Sequence, residues 1–134
     1  MVSGPMVTGS QLVCHAVGDY VIQSDWMASE KTSKHWPAAA HAVTYALPFL
    51  FLTRSPRALL IIAVTHFIID RWRLARHLCW VKNFLSPVGS NPSWETCKAT
   101  GYPPEKPLWL SVWLMIIADN TLHVLINALA LRKG

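Results

Sequence analysis

The stretch THFIIDRW, residues 65–72, sets His66 and Asp70 four residues apart at the end of the uncharged run ALLIIAVTHFII. The same His-x-x-x-Asp spacing recurs at His15 and Asp19. Its reverse occurs at Asp119 and His123, and His41 stands alone. On an α-helix such pairs share one face, one turn apart. Imidazole and carboxylate are the ligands of zinc and of non-haem iron or manganese. Helical bundles hold such ions with inward-facing pairs at this spacing. A bare carboxylate among apolar side chains is expensive, so each should have a partner. The pattern predicts a metal site drawn from His15, Asp19, His41, His66, Asp70, Asp119 and His123. Seven candidates exceed the three or four that one zinc needs, so one or two ions fit. Zinc is the first choice, iron or manganese the alternative. Zinc with an open position lowers the pKa of bound water toward about 7. A carboxylate outside the coordination sphere, Asp19 or Asp70, then acts as general base. Without metal, the same residues would form structural ion pairs or a proton relay.

Four helical segments must position these groups: roughly 8–28, 37–53, 56–84 and 107–131. Pro37, Pro56 and Pro107 suit first turns, and Pro48 suits a kink. Short connections make the first three helices antiparallel neighbours. Between the last two lies SPVGSNPSWETCKATGYPPEKP, a long segment of the kind that is functional or disordered. It is expected to cover the site, with Trp94, Glu95 and Tyr102 packed on the bundle. In this up-down threading, the reversed Asp119/His123 order on a returning helix puts three histidines in one layer. Three aspartates fall in another, about 6 Å away. Gln11, Gln23, Tyr45 and Asn127 lie one turn from these pairs and could orient them or simply join helices.

The 134 residues fit one domain, 1–134. The chain is 52% hydrophobic and 14% charged, with seven Trp, which is unusual for a soluble protein. Residues 35–53 contain no Asp, Glu, Lys or Arg, and residues 107–131 only Asp119. Such runs suffice to cross a bilayer core about 30 Å thick. The expected fold is an all-α, four-helix transmembrane bundle with a long loop between the third and fourth helices, and both termini on one side. A soluble helical bundle with a very apolar core is the alternative. The net charge of +5 gathers at helix ends, as beside phospholipid head groups. The tryptophans gather toward one membrane face with Lys31, Lys34, Arg71, Arg73 and Arg76. That rim suits membrane lipids and a lipid-like or anionic substrate, or plain anchoring. No basic stripe or reader motif points to nucleic acid. Cys14, Cys79 and Cys97 lack CxxC spacing, which argues against a thiolate zinc site.

HAVGDYVIQSDWMASEK, HFIIDRW and TGYPPEKPLWLSVWLMIIADNTLHVLIN resemble a family of small bacterial and phage integral membrane proteins of unknown function, over nearly the whole chain. More distantly, the intramembrane His and Asp pairs look like those of predicted membrane-bound metal-dependent hydrolases. The first resemblance implies a place in the bacterial inner membrane and adds Gln23, Asp25 and Lys31 as rim residues, Lys31 contacting a substrate phosphate. The second implies a reaction class by analogy. The expectation is a membrane-embedded metal-dependent hydrolase acting on a lipid-linked or amphipathic substrate, with Asp19, Asp70 and Lys31 as catalytic candidates. The rivals are a non-enzymatic phage or bacterial membrane interaction protein with a structural metal, and an ion or proton carrier.

Overall fold

Thr8 opens the first helix with a reciprocal cap. Its hydroxyl accepts from the Gln11 amide, and the Gln11 side chain accepts from the Thr8 amide. Gln11 is thereby committed to the helix end and does not orient a site residue. In the computed structural model, which describes residues 5–134, this helix is α1, Gly9–Ala16. It continues as a π-helical turn, Val17–Val21. The chain then breaks, and Ser24 caps α2, Asp25–Glu30. The single helix expected over 8–28 is therefore three pieces. α3 spans His35–Ala46 and tightens into a 3-10 turn, Leu47–Phe51, at Pro48. α4 spans Pro56–Arg71, with Ser55 as cap and Pro56 in the first turn. α5 is Leu74–Val81 with a 3-10 extension, Lys82–Leu85; α6 is Trp94–Cys97; and α7 is Leu108–Lys133. The described residues are all-α with no strand.

The chain forms two compact units: Met1–Trp72 with His123–Gly134, and Arg73–Leu122. In the first, α3 packs most extensively against α4. Ala38, Ala42, Ala46 and Ala58 are buried and let helices approach closely. Cys14, Tyr45, Ala46, Phe49, Ile62 and Ala130 form the apolar core. The stripes that bury these residues also bury His41 on α3, His66 and Asp70 on α4, and His123 and Asn127 on α7. Large apolar side chains point outward instead, among them Val13, Val21, Trp36, Val43, Phe51 and Leu60.

The helix expected over 56–84 is broken at Arg73, whose φ of 51° lies in the left-handed region. In the second unit the Arg73 guanidinium donates to the Ala99 carbonyl and that of Arg76 to the Lys98 carbonyl. The segment expected as a long loop is thus folded onto α5. Trp94 stacks on His77 and Trp80 donates to the Pro92 carbonyl. Cys97 and Tyr102 are buried, whereas Glu95 is exposed and pairs with Lys98. Gly101, at φ 85°, passes so close to Arg76 and Cys79 that no side chain would fit there.

Four membrane crossings do not follow from these helices. α1, α3 and α4 have 8, 12 and 16 residues. Among the described residues, α7, with 26, is the one helix long and apolar enough to cross a bilayer.

Gly18 sits in the π turn against α3. A Cβ there would lie 2.6 Å from Tyr45 Cδ2 and 3.0 Å from the Tyr45 carbonyl oxygen. Gly18→Ala should therefore cost about 1–3 kcal/mol, the usual range for overpacking, read as a lowered unfolding midpoint in detergent.

Candidate metal centre

Asp19 and Asp70 are the two carboxylates of the first unit that are buried, each 6% exposed, among His41, His66 and His123 at 0–1%. The π turn carries Asp19; such turns add a residue to the helical circuit and recur at functional sites. α4 brings His66 and Asp70 to one face, and α3 brings His41 between them.

Four atoms converge. His41 Nε2 and His66 Nε2 are 2.9 Å apart. His41 Nε2 lies 3.1 Å from Asp19 Oδ1 and 3.3 Å from Asp70 Oδ2. His66 Nε2 lies 3.3 Å from Asp19 Oδ1 and 3.2 Å from Asp70 Oδ2. A tetrahedron whose corners stand 2.0–2.1 Å from its centre, the zinc ligand distance, has edges of about 3.3–3.4 Å. The observed edges fall at or just below that size. Hydrogen bonds alone do not account for them, because two Nε2 atoms carry at most two protons between them for five close contacts. These four groups could together hold a metal ion.

The surrounding bonds set the proton positions in the same sense. Asp70 Oδ1 only accepts, so His123 Nε2, 3.1 Å away, is the donor. Neutral His123 then has an unprotonated Nδ1, which accepts from His66 Nδ1 at 3.1 Å. His66 Nε2 is left with its lone pair toward the cluster, the tautomer a metal ligand needs. On the other side, Asn127 Nδ2 donates to the Tyr45 hydroxyl at 2.6 Å. The Tyr45 proton therefore goes to His15 Nδ1, 2.7 Å away. His15 Nδ1 also lies 3.4 Å from Asp19 Oδ2. The Tyr45 ring stacks on His66 at 3.6 Å between centroids and holds the imidazole plane.

Lys31 completes the cluster. It follows α2, and its ammonium lies 2.7 Å from Asp70 Oδ2 and 3.3 Å from His41 Nε2. Arg71, next to Asp70, steadies the turn after Lys31 by donating to the Thr32 carbonyl at 2.9 Å and to His35 Nδ1 at 3.2 Å. With neutral imidazoles, two carboxylates and one ammonium leave a net charge of −1 inside the protein.

Of the predicted ligands, Asp19, His41, His66 and Asp70 thus converge, with His123 donating to Asp70 from outside the group and His15 held by the Tyr45 hydroxyl. Asp119 precedes His123 by one turn on α7 and belongs to the second unit. The layers expected about 6 Å apart interlock through their side chains. Tyr45 and Asn127 act together, on His15. Asp25 is exposed in the first turn of α2, away from the cluster. Gln23 carries a buried Oε1 with no protein hydrogen bond. In the second unit, burial pushes the Cys79 and Cys97 thiols up, which disfavours thiolate ligation.

A family model matches residues 7–100, which hold all four converging residues and Lys31. The chain belongs to that family, described as "Protein of unknown function (DUF3307)". The matched span is shorter than the resemblance over nearly the whole chain suggests, and α7 lies beyond it. No curated protein and no solved structure matches the chain. The DUF3307 description carries no activity.

Metal analysis of protein purified in detergent should find a divalent ion in the wild type. Asp70→Asn and His66→Ala should lose most of it and melt at lower temperature, whereas Asp25→Asn should do neither. A folded wild type free of metal would leave a hydrogen-bonded ion-pair network. Tyr45→Phe should cost about 1–3 kcal/mol of stability, because it strands buried partners on Asn127 and His15.

Proposed function

We propose that this protein is a membrane-embedded, metal-dependent hydrolase whose substrate is lipid-linked or amphipathic. The observation that supports it most is the convergence of two imidazole nitrogens and two carboxylate oxygens within ligand distance of one another, buried where nothing else calls for charge. Chains that place ionisable groups inward and apolar side chains outward suit a lipid setting, where intramembrane charges are functional by default. The first unit has that distribution, and α7 supplies a helix of crossing length.

His41, His66 and Asp70 would hold the ion, and Asp19, at the fourth corner, would give up that position to water; zinc is the best match to two imidazoles and a carboxylate. When bound, the ion supplies Lewis acidity and lowers the pKa of water. Asp70 suits a fixed ligand because His123 holds its Oδ1 and so orients Oδ2 toward His41 and His66. Asp19 suits the general base. Its Oδ2 has a looser 3.4 Å contact to His15, and the Tyr45–Asn127 chain behind His15 keeps that imidazole in place. Lys31, partly exposed, would pair with an anionic group of the substrate.

The test is release of phosphate or fatty acid from a membrane lipid extract by metal-loaded protein in detergent. Asp19→Asn should lower turnover by about 100-fold or more, the range for a lost general base, while metal content stays at the wild-type level. Asp70→Asn should lose metal and turnover together. Metal-loaded wild type with no hydrolytic activity on any lipid class would favour a structural ion in a membrane interaction protein.

A further inference from the structure

The carboxylate and imidazole that face the proposed ion also face an ammonium. Lys31 Nζ lies 2.7 Å from Asp70 Oδ2 and 3.3 Å from His41 Nε2, two of the four converging atoms. The Lys31 side chain is only 19% exposed, whereas Lys34, three residues on, is 63% exposed and pairs with Glu30 at the surface. Turning a lysine inward from a helix end costs desolvation, which the buried carboxylate offsets. An ammonium and a divalent ion cannot both keep full contact with one carboxylate oxygen. Each lowers the other's affinity through charge repulsion at short range.

We propose that Lys31 is a built-in competitor of the metal. It neutralises Asp70 when no ion is held and is driven outward when a divalent ion binds. This rests on the metal reading above and deepens it. Expulsion would present the ammonium at the rim only when the centre is loaded, so capture of an anionic substrate would follow metal loading. The movement is one of the side chain: the Lys31 backbone is held, its N–H donating to the Met27 carbonyl and Thr32 accepting from Arg71, while the flexible four-carbon stem can swing the ammonium outward. The coupling is reciprocal: whatever the ammonium contributes to the metal-free cluster is subtracted from metal affinity.

Two measurements on the full chain in detergent test this. Lysine acylation read by mass spectrometry should show Lys31 protected relative to Lys34 in chelator. Stoichiometric zinc should raise Lys31 labelling by about tenfold and leave Lys34 unchanged. This uses the wild type, so folding of a variant is not at issue. Calorimetric titration should then show Lys31→Met binding zinc about tenfold more tightly than the wild type. Zinc bound with Asp70-dependent stoichiometry but with unchanged Lys31 labelling would overturn the competitor and leave the metal centre standing. So would equal or weaker affinity in Lys31→Met. Absence of zinc binding in wild type and variant alike would overturn both.

Discussion

Two carboxylates, Asp19 and Asp70, are buried within reach of each other's imidazole partners in a unit otherwise built from apolar helices. Burying one unpaired carboxylate costs several kcal/mol, and two near each other cost more. Every other feature of the first unit answers to that cost. Lys31 is drawn inward beside Asp70, His123 donates to the second oxygen of Asp70, and His41 and His66 approach Asp19. The same residues leave two imidazole lone-pair positions and two carboxylate oxygens facing one point. Groups in that arrangement could hold a metal ion.

The helical elements serve that cluster through close backbone approach. Alanines on α3 and α4 remove the bulk that would keep His41 and His66 apart. Gly18 lets the π turn lie against Tyr45, which places Asp19 beside His41 and brings the Tyr45 hydroxyl to His15. Tyr45 is central to both halves of the interior: its ring packs on Phe49 in the apolar core and stacks on His66, and its hydroxyl belongs to the polar network. Rigid aromatic support of this kind holds ligands in a productive geometry. Arg71 extends the same logic by fixing the turn that carries Lys31.

The second unit uses different means. Its Pro- and Gly-rich segment lacks long helices, yet Arg73 and Arg76 donate to the Ala99 and Lys98 carbonyls, and Trp80 and Trp94 pack against one another. Backbone carbonyls held by guanidinium groups give order to a stretch whose composition alone suggests a free loop.

The pairing of His and Asp at four-residue intervals was enough, from sequence alone, to nominate Asp19, His66 and Asp70 among six paired residues, because helical periodicity is a local property; His41, which stands outside any pair, was added as a lone candidate. The all-α class, the first-turn Pro56 and the apolar α7 were legible for the same reason. What only the tertiary structure decided was where those helices break and which atoms meet. The π turn at Val17–Val21 and the left-handed Arg73 have no local signature and persist because packing elsewhere compensates them. Lys31 reads as an ordinary interfacial lysine, and its inward turn depends on a carboxylate 39 positions away. His15 and His123 read as ligands equal to the others, yet the hydroxyl of Tyr45 and the second oxygen of Asp70 claim the nitrogens they offer. Such claims are settled by hydrogen-bond partners distant in sequence, and spacing along the chain carries no record of them.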